Sequence, residues 1–124
     1  LVQALGIRFS IIRASSLPCE GKRSALLVNL CKRLDATRYL AAFGSAEYLL
    51  SEQQLFSQQS IELFFHNYTF PHYAQCFPPF LPYACTLDLL FNEGPHATEI
   101  LRSGRHPMLS AEDRRKIVNQ EASA

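Results

Sequence analysis

The chain has 124 residues, a formal net charge of +1 and 48% apolar residues. That length bounds it to one domain, and a near-neutral charge with no clustered basic face argues against nucleic acid as a partner. No apolar run reaches the roughly 18–20 residues that a membrane-spanning helix needs.

The first six residues, Leu1-Val2-Gln3-Ala4-Leu5-Gly6, read as the last turn of a helix closed by a glycine. Residues 7–14 (IRFSIIRA) alternate Ile7, Phe9 and Ile11 with Arg8, Ser10 and Ile12, which predicts a strand. A loop with Pro18 follows over residues 15–21. Residues 22–34 carry Leu27, Leu30, Cys31 and Leu34 on one stripe and predict a helix, with Lys32 and Arg33 in its last turn. Residues 37–42 (TRYLAA) predict a second strand. After Phe43-Gly44-Ser45, helical sequence runs over residues 46–59, broken by a capping box from Ser51 to Gln54.

Residues 61–67 (IELFFHN) predict the third strand, with Ile61, Leu63 and Phe65 on one face. A loop over residues 68–83 is rich in proline and aromatics, too apolar for disorder and too long for an ordinary linker. A short helix over residues 86–93 ends at Gly94, with Leu87, Leu90 and Phe91 as its apolar stripe. Pro95 opens another helix, whose buried stripe is Ala97, Ile100 and Leu101 and which ends at Gly104. Residues 106–124 form a mostly flexible tail, with one marginal helix over residues 110–118 and a Glu112–Lys116 pair.

Strand, helix, strand, helix, strand predicts an α/β fold. Its centre is a three-layer-like parallel sheet built from a βαβαβ unit, followed by the Pro/aromatic loop and two short C-terminal helices. Residues 1–105 then read as part of a larger domain. In such sheets, ligands sit at the carboxyl ends of the strands. The loops at residues 15–21, 43–45 and 68–83 would therefore converge on one rim.

The candidate residues follow from that geometry. Gly21 and Lys22 stand at a helix start, where backbone N–H groups suit an anion. The spacing is not that of a P-loop, and the same pattern fits a solvated helix start with surface cations. Gly44 and Ser45 form a second such loop, equally compatible with a plain N-cap turn. Asp88 and Asn92 lie four apart on one helix side. Asp88 is a candidate base, a hydroxyl acceptor or a cap for a loop N–H. His72, Tyr73 and Gln75 put hydrogen-bonding groups on an aromatic scaffold, which suits a sugar or nucleotide; the same loop could be a packed Ω-loop. The four cysteines, Cys19, Cys31, Cys76 and Cys85, form no CxxC pair and have no histidine at zinc-ligand spacing. They read as reduced thiols, no metal site is indicated, and no cofactor can be named.

The chain resembles the C-terminal half of the WbqC-like protein family. The resemblance rests on Gly21-Lys22, on the run Leu-Cys-Lys-Arg-Leu-Asp-Ala-Thr-Arg-Tyr-Leu over residues 30–40, and on Gly44-Ser45 with Tyr48-Leu49. It continues through Ile61-Glu62-Leu63, Pro71, Tyr73, Gln75, Phe77, Pro82, Asp88-Leu89-Leu90-Phe91-Asn92 and Gly94-Pro95. Two positions depart from the family pattern: Ala41-Ala42-Phe43-Gly44 replaces a turn richer in small polar residues, and Cys85 stands in place of a serine.

The resemblance implies a bacterial cytoplasmic protein of roughly twice this length, whose N-terminal half is missing here. It implies a transferase of acyl, aminoacyl or glycosyl type acting on a nucleotide-linked or activated amino sugar in O-antigen and related polysaccharide (lipopolysaccharide) biosynthesis. Gly21, Lys22, Gly44 and Ser45 would then hold the ligand's phosphates, and His72, Tyr73 and Gln75 its sugar or base, with Tyr48 and Asn92 as further ligand-binding residues. Asp88 and His72 would serve catalysis. The alternative is a non-catalytic interaction module of a biosynthetic complex, or a piece inactive without the other half.

Overall fold

The computed structural model describes residues 1–123. In chain order they form α1 (Arg23–Arg33), β1 (Arg38–Ala41), α2 (Ala46–Ser51), α3 (Gln54–Ser57), β2 (Glu62–Phe65), α4 (Thr86–Glu93), α5 (Ala97–Ser103), β3 (Leu109–Ser110) and α6 (Ala111–Glu121). Short 3₁₀ turns lie at Ala14–Ser16, Phe43–Ser45 and Gly94–His96. The chain divides into two compact units. The first comprises Leu1–Ile11 and Tyr68–His106, the second Ile12–Asn67 and the residues from Pro107 onward.

The second unit is a mixed α/β layer built on a three-stranded sheet of order β1-β2-β3. β1 and β2 run parallel, pairing Tyr39 with Leu63 and Ala41 with Phe65. β3 joins β2 antiparallel through Phe64 with Ser110 and Phe65 with Leu109. Its core gathers Val28 and Cys31 from α1, Leu49 and Leu50 from α2, Phe56 from α3, Leu63 and Phe65 from β2 and Ala111 from α6. The Tyr39 and Phe56 rings meet at 5.5 Å between centroids.

The first unit packs Leu5, Tyr73, Leu89 and Ala97 into a smaller core, flanked by Phe70, Phe80, Ile100 and Leu101. The opening turn contributes Leu5 to it. The Ile7 N–H donates to the Val2 carbonyl at 3.1 Å and the Gly6 N–H to that of Gln3 at 3.0 Å, and Gly6 has a φ of +62°. At the far end, the Thr69 N–H donates to the Gly104 carbonyl at 2.9 Å. A Cβ at Gly104 would fall against the Thr69 carbonyl oxygen and the Tyr68 ring, so this close approach requires glycine.

Several expectations need correction. Residues 7–14 form no strand: Phe9, Ile11 and Ile12 are all exposed, on both alternating faces. β-propensity reflects packing against cross-strand neighbours, and among the described residues this segment has none. The βαβαβ unit therefore reduces to one parallel pair, and the third strand of the sheet comes from residues expected to be flexible. In that segment Leu109, Ala111 and Val118 pack on the core, Arg115 donates to the Leu50 carbonyl at 3.2 Å, and Ser110 caps α6 by accepting from the Asp113 N–H at 3.1 Å. The Glu112–Lys116 pair forms at 2.9 Å.

The break between α2 and α3 falls where the capping box placed it, but Ser51 ends α2 and donates to the Tyr48 carbonyl instead of capping α3. In α4 the stripe is rotated: Leu89 is buried, while Phe91 is 84% exposed and Leu87 half-exposed.

Candidate functional site

The proline-aromatic loop is fastened to α4 by side chains of both. Tyr73 is buried, and its ring packs edge-on against Phe80 with centroids 5.5 Å apart. The phenol donates to Asp88 Oδ2 at 2.7 Å. Gln75 Nε2 donates to the same oxygen at 3.0 Å and to the Leu81 carbonyl at 3.1 Å. Gln75 Oε1 accepts from the Leu81 N–H at 2.7 Å. One amide thus serves as a backbone partner for residue 81, closes the turn through the cis Pro78–Pro79 bond, and still reaches the acid on α4.

Two further side chains of α4 accept loop N–H groups. Asn92 Oδ1 takes that of Cys76 and Glu93 Oε1 that of Ala74, both at 2.9 Å. Asn92 is itself aimed by its donation to the Asp88 carbonyl at 2.8 Å. Asp88 and Asn92, at i and i+4, lie on one side of α4, and Glu93 is its last residue. Burial, and next the hydrogen bond to Asp88, push the Tyr73 phenol above its ordinary pKa.

Above this clamp lies a pocket of about 350 Å³, lined by Cys76, Phe77, Leu81, Asp88, Phe91 and Asn92 among others. Phe77 and Phe91 are each 84% exposed and stand as its apolar walls. Among the described residues, Asp88 Oδ1 takes no hydrogen bond, which leaves one carboxylate oxygen for a ligand while the other is fixed. An aromatic lining with a carboxylate suits a flat or ring-shaped group that carries a hydroxyl or amine.

Tyr73, Gln75, Asp88 and Asn92, all marked by the sequence, are brought together here, but the hydrogen-bonding groups of Tyr73, Gln75 and Asn92 are engaged by the protein itself. His72 does not line the pocket; its exposed ring stacks on Phe80 at 3.9 Å. Phe77, Leu81 and Cys76 were not marked as site residues. The available signal was an apolar side chain at the tip of a proline-rich turn.

The remaining candidates belong to the second unit. Gly21 has a φ of +114°, and a Cβ there would press on the backbone of Leu26 at 3.1 Å. Lys22 is the exposed N-cap of α1, whose first turn has no side-chain cap. Arg23 faces Tyr48 at 5.8 Å from its ring centroid and Glu52 at 4.0 Å, so a carboxylate already competes for the cation there. Gly44 has open space around its Cβ position, so no close approach demands it. Ser45 donates to the Ala42 carbonyl at 2.6 Å and does not cap α2. Lys22 lines a shallow depression with Ser51, Glu52 and Gln54; Gly44 and Ser45 are not part of that lining.

All four cysteines are unpaired. Among the described residues no cluster of His, Cys, Asp or Glu is placed to hold a metal ion, and no helix is long and apolar enough to cross a membrane.

A relative from Mycobacterium tuberculosis (strain ATCC 25618 / H37Rv), itself described as uncharacterized protein Rv1507c, is 29% identical over 99 residues. The match covers 79% of this chain and 42% of the relative, so the chain spans less than half the length of the curated protein it matches. No solved structure matches significantly. The model of the WbqC-like protein family matches residues 1–100, which include the whole loop and the α4 clamp, and the chain therefore belongs to the WbqC-like protein family.

Proposed function

We propose that this chain supplies the sugar-recognition part of a transferase that modifies a nucleotide-linked amino sugar for a bacterial surface polysaccharide such as O-antigen. One observation carries the reading: Asp88 is held by Tyr73 and Gln75 through one oxygen, and the same residue lines a pocket with Phe77 and Phe91. Aromatic faces stack on the apolar face of a sugar ring, and a fixed carboxylate accepts from a ring hydroxyl or amine with little ordering cost. In the transfer step Asp88 would orient the accepting amine or hydroxyl and take up its proton.

Thermal unfolding with UDP-N-acetylglucosamine, against uridine diphosphate and free N-acetylglucosamine, tests this. Binding to the folded state alone raises Tm by mass action. The nucleotide sugar should raise Tm more than either part, and no rise at millimolar concentration contradicts the reading.

A second reading has its own support. Phe77, Tyr83 and Phe91 are more than four-fifths exposed, at 84%, 82% and 84%. An aromatic surface of that kind fits a docking face for another polypeptide of a biosynthetic complex. Loss of a partner on Phe77→Ala and Phe91→Ala, with no nucleotide-sugar binding by the parent, would favour it.

A further inference from the structure

The larger concavity of the second unit, about 680 Å³, is lined by none of the residues that the sequence marked for binding. It opens where the two parallel strands begin. Thr37 precedes β1, Ile61 precedes β2, and the Glu62 N–H donates to the Thr37 carbonyl at 2.9 Å. Ser57 and Ser60 enter from the end of α3, and Ser110 and Glu112 from the start of α6. The volume is within the range of small-molecule sites.

The chemistry of the lining is that of a neutral, hydroxyl-rich ligand. Ile61, Leu63, Phe64 and Ala111 supply apolar surface, and Thr37, Gln53 and Ser60 supply uncharged donors and acceptors, while the hydroxyls of Ser57 and Ser110 donate to the Gln54 carbonyl at 3.2 Å and to Asp113 at 2.7 Å. The two acids are already neutralised: Glu62 by Arg38 at 3.0 Å and Glu112 by Lys116 at 2.9 Å. An anion would meet both carboxylates, and a cation would have to displace their partners.

Two polar groups are set for an outside partner. Arg115 holds Gln53 Oε1 at 2.8 Å, which fixes the amide while its NH₂ end has no partner among the described residues. Ser60 has a φ of +55°, a conformation that favours glycine or asparagine. A serine stands there, and its hydroxyl, like that of Thr37, makes no hydrogen bond among the described residues.

We propose that this cavity is a second binding site, for an uncharged polyhydroxylated ligand of one or two sugar units. It stands independently of the pocket at Asp88. The test is amide NMR of the full chain titrated with N-acetylglucosamine and chitobiose, with inorganic phosphate and spermidine as charged probes. The sugars should shift the amides of Gln53, Ser57, Ser60 and Ser110 at millimolar concentration, and the charged probes should not. Ser60→Gly and Gln53→Leu should each weaken binding about tenfold. Ser60→Gly also relieves the positive φ, so a folding failure cannot account for its effect.

No shift at these amides with either sugar overturns the proposal. So do charged probes that move them more than the sugars, or a Ser60→Gly chain that binds unchanged. Shifts confined to Cys76, Phe77 and Phe91 report the other pocket, overturn this one, and leave the reading of Asp88 standing.

Discussion

Tyr73 in the loop and Asp88 in α4, separated by fifteen residues, share a 2.7 Å hydrogen bond in which the buried phenol donates to a carboxylate. A bond to a charged acceptor contributes more than a neutral one, about 1.5–3 kcal/mol. Tyr73→Phe should therefore lower unfolding free energy by about that amount, and Asp88→Ala by at least as much, because Tyr73 and Gln75 lose their acceptor together. The double variant should fall short of the sum by more than about 0.5 kcal/mol. Urea unfolding of the four chains measures it, and additive losses would contradict the shared bond.

Asn92 ties the loop at a different point, by accepting the Cys76 N–H. Asn92→Ala should leave the helix intact and open the loop locally. Amide exchange at Cys76 should accelerate by about tenfold or more, with little change in α5. Equal acceleration throughout the first unit would show that Asn92 supports the whole core instead of one turn.

The phenols of Tyr39, Tyr68 and Tyr73 and the thiol of Cys31 all titrate above their ordinary values, each chiefly through burial. A group whose folded pKa is raised holds its proton more tightly when folded, so its contribution is complete below the unfolded value. It is lost as pH climbs toward the folded value. Stability should hold steady near neutrality and decline above about pH 9–10, where unfolded Cys and Tyr begin to ionise. Tyr73→Phe should flatten part of that decline. Urea midpoints across the range decide the sign, and rising stability above pH 10 would contradict it.

Arg114 lies buried in α6 with its guanidinium 3.7 Å from the Phe43 ring centroid, its Nε without a partner and Glu121 3.5 Å away. Removing a poorly compensated buried charge while keeping its stem is often neutral or stabilising by about 1–4 kcal/mol. Arg114→Met should therefore match or exceed the parent in urea, while Arg114→Ala, which loses the stem packing, should cost about 2 kcal/mol. Equal losses in both would assign the stability to the charge.

That same arginine explains why the last helix was hard to read. Its buried side includes Ala111 and Arg114, so the apolar period that betrays an amphipathic helix is interrupted by a charge. The bounds of α4, by contrast, were legible residue by residue, because Gly94 closes it at a φ of +52°. Residues 7–14 show the opposite failure: strand-like composition without a neighbour to pair with. At the site, the sequence marked Tyr73, Gln75, Asp88 and Asn92 but not the division of labour among them. Which groups fasten the loop and which remain open depends on side-chain contacts across α4, not on spacing.

The most direct test of the account is calorimetric titration of UDP-N-acetylglucosamine into the parent chain, Asp88→Asn and Phe91→Ala. Phe91 is exposed and holds nothing else in place. The account predicts saturable binding by the parent, weakened about tenfold or more by either change, while both variants keep the parent's fold by circular dichroism. Binding by Phe91→Ala and Asp88→Asn that equals the parent's, or no binding by any of the three, would contradict it.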